Sequence, residues 1–418
     1  MCKPIYKTAF IVSLYVLLSS VASVHDVDAR YGRLHLESID SEALKNNLIG
    51  DSSVRPFWVY LPPNYETTNK RYPVIYVLHG FGGNAQSLTA KVKGAMDAML
   101  FNGQIEEMIA VFVDGSNRFG GSQYLSSPTI GDYETYIVSE LVGRVDTLFR
   151  TIPDRNSRGI TGFSMGAYGS MHLALKYPEV FSVVVAQAGT YDFNDEWVQL
   201  FTATAGKLVA LVNIFRLSEE QAWREFDKLS LPIRNGIAYL AAVASNADKP
   251  PFYLDLPYQV ESVFPPRFKR VESVWQRIIE NDIIHELDRA RHRPIQLNAI
   301  KLVHGDKDEK AFIRQAESLV DAMTEHGIAP EYEPHTLGHT FIAEKSLQFL
   351  SDHLSTHPLA PWDVNNDGVV NILDLTLVSA SFGEEITTPP TANPDVNGDG
   401  IVNVLDLVLV ASHFGEAI

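Results

Sequence analysis

The chain has 418 residues, 45% of them hydrophobic, and a formal net charge of −17. That apolar fraction supports a packed core and excludes an intrinsically disordered chain, and the lack of a basic stripe excludes nucleic acid as the expected partner. The only cysteine is Cys2, so a chain that loses its leader holds no disulfide and no cysteine nucleophile.

Lys3 and Lys7 precede an apolar run from Ala9 to Val21 and the small residues Ala22 and Ser23. This is the layout of a secretory signal peptide, with a cut after Ser23 or after Ala29. The run is short for a bilayer span, so an exported protein with no stable membrane span after cleavage is expected. Residues 1–29 hold the signal and the start of the mature chain, and a first domain is expected over 30–356.

Val54–Leu61 alternates and is rich in β-branched and aromatic residues, a strand pattern. Pro73–Leu78, Met108–Val113 and Phe181–Ala186 are continuous apolar runs, as in parallel strands buried on both faces. Asp132–Phe149 carries apolar residues at helical spacing. Arg158–Thr161 reads as a strand and Ala167–Lys176 as a helix. Further on, Ala299–Val303 and Glu331–Pro334 read as strands, and Ala311–His326 and Phe341–Leu354 as helices. The alternation predicts an α/β fold built on a doubly wound, mostly parallel sheet. A helical insertion at about 192–294 breaks the rhythm. Its aromatics, among them Trp197, Phe201, Tyr239, Phe252, Tyr253, Tyr258, Phe264 and Trp275, suit either a cap over the site or a small core of their own.

Between the Arg158 strand and the following helix lies Gly162-Phe-Ser-Met-Gly166, the form of a nucleophile elbow. The glycines flank Ser164 because larger side chains would clash where strand and helix pass closely. A serine hydroxyl needs a base to take its proton and donors for the oxyanion it generates. His79-Gly-Phe-Gly-Gly83 directly follows a buried strand, so the N–H groups of Phe81 and Met165 are the candidate oxyanion donors. Acid and base should follow the serine in chain order. Asp308 is preferred to Asp306 as the acid because the later position clears the strand end. His339, in the loop before the last helix, is preferred to His335 as the base.

These pieces in order, with Asp114-Gly-Ser-Asn117 and Gly131-Asp-Tyr-Glu-Thr135, resemble the esterase branch of the α/β-hydrolases over residues 50–350. That branch includes feruloyl and acetyl-sugar esterases, S-formylglutathione hydrolases and mycolyltransferases. The resemblance implies Ser164 as nucleophile, Asp308 as acid, His339 as base, Phe81 and Met165 as oxyanion donors, and no cofactor for catalysis.

Residues 361–418 hold nine Asp or Glu and no Lys or Arg, so over half of the net charge sits in this tail. Two segments repeat 32 residues apart: Asp363 to Asp374 and Asp395 to Asp406. Oxygen ligands fall at positions 1, 3, 5, 9 and 12 of each loop, with a glycine at 6 and a backbone carbonyl at 7. The first set is Asp363, Asn365, Asp367, Val369, Asn371 and Asp374; the second is Asp395, Asn397, Asp399, Ile401, Asn403 and Asp406. Two calcium ions are expected. The pair resembles a dockerin, a small all-α module of two EF-hand-type loop–helix units over 357–418, which implies a cohesin-like or cell-surface partner. The residues just before position 12 are apolar here, Ile372-Leu373 and Val404-Leu405, where dockerins usually carry polar ones.

The expectation is a secreted serine carboxylesterase acting on feruloyl or acetyl esters of polysaccharides. The alternatives are an acyltransferase, a hydrolase of lipid-like esters, and a non-catalytic binding component attached through the calcium module.

Overall fold

A computed structural model describes residues 30–193, 212–263, 266–289, 297–356, 360–365, 368–386 and 393–416. The expected signal peptide, Trp197, Phe201, Phe264, Asp367 and the linker Thr387–Thr391 lie outside the described residues. Among the described residues no helix is long and apolar enough to cross a membrane.

Eight strands form one sheet: β1 (Arg33–Asp40), β2 (Val54–Leu61), β3 (Val74–Leu78), β4 (Ile109–Val113), β5 (Arg158–Phe163), β6 (Val183–Gln187), β7 (Ala299–Gly305) and β8 (Glu331–His335). Their spatial order is β1-β2-β4-β3-β5-β6-β7-β8, and all neighbours from β4 to β8 run parallel. β2 is antiparallel to both β1 and β4. The edge strand β1 escapes the sequence reading because its residues, RLHLESID, mix polar and apolar groups on both faces.

The pleat sorts the core into two layers. Val74, Tyr76 and Leu78 face one side with Val111, Ile160 and Val184. There they meet α2, made of Tyr133–Thr135, a π-helical stretch Tyr136–Leu141 and Val142–Leu148, and also α3 (Met165–Lys176) and α8 (Lys310–Glu325). Ile75 and Val77 face the other side with Phe112, Val185 and Val303, against α1 (Thr89–Phe101) and α9 (Ala343–His353). Helix α1 is not legible in sequence, since its N-cap is Leu88, which offers no capping side chain, and it carries Gly94 inside.

The insertion is not purely helical. It holds α4 (Glu219–Asp227), α5 (Leu231–Val243), α6 (Glu272–Ile279) and α7 (Ile283–Arg289), plus an antiparallel hairpin of Tyr258–Val263 with Pro266–Arg270. Its buried aromatics Trp223, Phe226 and Phe252 close around Phe119 of the main domain, with ring centroids 4.9, 5.6 and 6.0 Å from it. The insertion therefore shares its core with the sheet domain.

The tail forms its own core from six valines, Val364, Val370 and Val378 with their counterparts Val396, Val402 and Val410. The helices are α10 (Ile372–Ala380) and α11 (Val404–Ser412). The two units interlock reciprocally. Val402 exchanges backbone bonds with Gly383 and Glu384 after α10, and Val370 does so with Gly415 and Glu416 after α11.

Candidate active site

Ser164 sits between β5 and α3 at φ 55° and ψ −116°, a conformation that costs a non-glycine residue about 1–3 kcal/mol. The surroundings enforce it. A Cβ on Gly162 would stand 2.0 Å from the Gly166 carbonyl oxygen, and one on Gly166 would stand 2.2 Å from that of Leu78. Both positions therefore require glycine, and the tight crossing lifts the serine out of the turn. The Ser164 N–H donates to the Gln187 carbonyl at the end of β6 at 2.9 Å.

Asp308 and His339 reach each other because two loops pack backbone to backbone. A Cβ on Gly305 would stand 2.3 Å from the Leu337 carbonyl oxygen, and Lys307 N–H donates to that oxygen at 3.2 Å. His339 Nδ1 donates to Asp308 Oδ2 at 2.8 Å, and Asp308 Oδ1 accepts the Glu309 N–H. The Asp308 side chain is 1% exposed and that of His339 33%. The imidazole contacts the rings of Phe163, the residue before Ser164, and Phe312, with centroids 4.7 and 4.6 Å away. Among the described residues no hydrogen bond joins the Ser164 hydroxyl to His339. Such bonds often tighten only when substrate is bound. The rivals are placed elsewhere. Asp306 is exposed, and His335 Nδ1 accepts the Leu337 N–H, with burial pushing its pKa down.

The loop after β3 is held from below. His79 is buried, its Nε2 accepts the Gly115 N–H at 3.0 Å, and its Nδ1 therefore donates to the Gly80 carbonyl at 2.8 Å. Gly82, at φ +79°, donates to the Gly120 carbonyl. Among the described residues the N–H groups of Phe81 and Met165 have no hydrogen-bond partner. Gly80 packs on the Cβ of Ser164, 3.4 Å from where its own Cβ would stand.

Sequence reasoning missed Gln187. Its backbone holds Ser164, and its buried amide clamps the segment after His339. Nε2 donates to the Ile342 carbonyl and to Ser346 Oγ at 2.9 and 2.6 Å, and Oε1 accepts the Ile342 N–H at 2.9 Å. A glutamine closing an otherwise apolar strand run was the available signal.

In the tail, Asp374 and Asp406 are fully buried and each accepts two backbone N–H groups, from Asn365 and Asn371 and from Asn397 and Asn403. Asp363 and Asp395 are also buried and accept from Gly368 and Gly400, the glycines at φ +85° and +89°. Buried carboxylates in a segment with no Lys or Arg suit a divalent cation bound by oxygen.

The antiparallel second strand of an otherwise mostly parallel sheet and the elbow between β5 and α3 define the α/β-hydrolase fold. A solved ferulic acid esterase shares this fold, with a TM-score of 0.51 at 18% identity over 78% of this chain and 99% of that one. Residues 52–239 match the family described as Putative esterase, and residues 361–415 match the Dockerin type I domain. The chain thus joins a segment similar to that esterase family to one similar to a dockerin, a module type that binds calcium. The first match covers Phe81, Ser164 and Met165 and ends before Asp308 and His339.

An endo-1,4-beta-xylanase/feruloyl esterase of Xylanibacter ruminicola is 32% identical over 143 residues, covering 32% of this chain and 19% of that protein. An esterase of Mycobacterium tuberculosis is 32% identical over 133 residues, covering 31% of this chain and 28% of that protein. The chain spans less than a third of the length of these relatives.

Proposed function

We propose that the chain is an exported serine carboxylesterase that cleaves feruloyl or acetyl esters of polysaccharides. It is carried by a module that holds two calcium ions and docks on a cohesin-like partner. The observation that carries the catalytic reading is the strained Ser164 together with the Asp308–His339 pair, bonded at 2.8 Å, whose half-exposed imidazole packs on Phe163, the residue before the serine. With Nδ1 donating to Asp308, the Nε2 lone pair of His339 is left free to act as base.

In the reaction Ser164 Oγ attacks the ester carbonyl and gives its proton to His339. The oxyanion takes hydrogen bonds from Phe81 and Met165 N–H. His339 returns the proton to the leaving alcohol, and water then repeats the sequence on the acyl-enzyme. Catalysis needs no cofactor in this scheme. The polysaccharide reading is supported by the feruloyl esterase in the name of the Xylanibacter ruminicola relative and by the dockerin.

Hydrolysis of methyl ferulate and 4-nitrophenyl acetate by the native protein and by Ser164→Ala tests this directly. The expected loss in the variant is about a thousandfold or more in kcat. Turnover that survives the substitution sinks the serine mechanism. Preference for ferulate points to plant cell wall.

A further inference from the structure

Among the described residues Arg234 is a cation without a counter-ion, close to the Gly120 loop. It lies in the first turn of α5, where a positive charge opposes the helix dipole, so helix stability does not account for it. Its guanidinium carbon is 5.5 Å from the ring centroid of Phe226, which props the side chain against the insertion's aromatic core. Its Nη2 is 3.5 Å from where a Cβ on Gly120 would stand, and the Phe81 ring is 3.0 Å from the same point. The next residue, Gly121, packs on the Met165 sulfur and on Phe81. Gly120 also accepts the Gly82 N–H at 2.8 Å. The guanidinium thus borders the loop that touches both residues proposed as oxyanion donors.

Three other arginines of the insertion are committed: Arg224 to Glu220, Arg270 to Glu272 and Arg277 to Asp255. Arg234 has no such partner among the described residues, and its buried Nε makes no hydrogen bond. Asn117 Nδ2, in the loop that ends at Gly121, is a second buried donor without a partner among them. Buried donors left unpaired are costly, and a guanidinium fork matches a carboxylate in shape and charge.

We propose that Arg234 is a specificity residue that binds a carboxylate carried by the ester substrate, close to the scissile bond. The inference rests on Ser164 as nucleophile. The carboxylate belongs either to the acyl group, as in a dicarboxylic half-ester, or to the alcohol, as in an acetylated uronic acid. Recognition by this residue would offset the repulsion between an anionic substrate and a chain of net charge −17.

The test compares matched pairs: 4-nitrophenyl hydrogen glutarate against 4-nitrophenyl butyrate, and acetylated methyl glucuronoside against acetylated methyl glucoside. In the arm that carries the recognised group, Arg234→Gln should lower the anionic-to-neutral ratio of kcat/KM about tenfold or more, mainly through KM. Arg234→Lys should restore part of it. With the native protein alone, that ratio should fall as salt is added. Ratios that ignore both the substitution and salt in both arms overturn the proposal while leaving the esterase reading intact. Turnover of all four esters that persists in Ser164→Ala overturns both.

Discussion

Removing the Gln187 amide should damage the protein in two separable ways. Gln187→Ala deletes three hydrogen bonds and leaves the N–H and carbonyl of Ile342 without their partners beside a buried Ser346. Each abandoned group costs about 1–3 kcal/mol, so a loss of about 2–5 kcal/mol in stability is expected, partly relieved if water enters. That corresponds to a fall of several degrees in Tm, measurable by calorimetry. The same clamp fixes the chain three residues after His339, so the imidazole should lose its register with Ser164. A displacement of about 1 Å can cost on the order of a hundredfold in rate, and it should appear in kcat with KM little changed. Gln187→Glu keeps the acceptor for Ile342 N–H but sets a carboxylate against the Ile342 carbonyl, so this variant should be weaker at pH 8 than at pH 5. A Gln187→Ala protein with unchanged Tm and kcat within twofold of the native value would refute the clamp.

His172 is buried on α3 between Glu134 of α2 and Glu286 of α7, with its ring nitrogens 3.3 and 2.9 Å from their carboxylates. Neither contact is aligned as a hydrogen bond, so the attraction is ionic. Burial pushes its pKa down, but Glu286 and Glu134 outweigh this and raise it to about 9. A histidine raised in the folded state contributes its full stability below its ordinary value of 6.5, and that contribution is lost as pH rises through about 9. The Tm should therefore fall between pH 7 and about 9.5, and His172→Gln should flatten that slope. An unchanged slope in the variant would place the titration elsewhere. For the tail, calcium titration calorimetry should give two sites in the native chain and one in Asp406→Ala. EDTA should unfold the module, read by circular dichroism, while Ser164-dependent turnover is retained; lost turnover would show that calcium also supports the hydrolase domain.

Much of the molecule was legible because its information is local. The elbow is five consecutive residues in which Gly162 answers a contact with Gly166 made within one turn of chain, and each acidic loop is twelve residues with its own cap, Asn371 accepting the Leu373 N–H or Asn403 the Leu405 N–H. The buried parallel strands announce themselves as apolar runs, since both their faces are covered. Sequence also places Ser164, Asp308 and His339 in the chain order of the proposed triad.

Tertiary structure decided what depends on distant backbone. Asp308 rather than Asp306 meets His339 because Gly305 lets the Leu337 carbonyl approach, a contact between segments some thirty residues apart. The role of Gln187 exists only because β6 ends beside the loop that leads into α9. Arg234 becomes notable through what surrounds it, since a guanidinium in a helical stretch has no visible lack of partners until the fold is formed. Spacing along a chain reports contacts a few residues long; loop-to-loop packing is set by the sheet order, which the spacing does not encode.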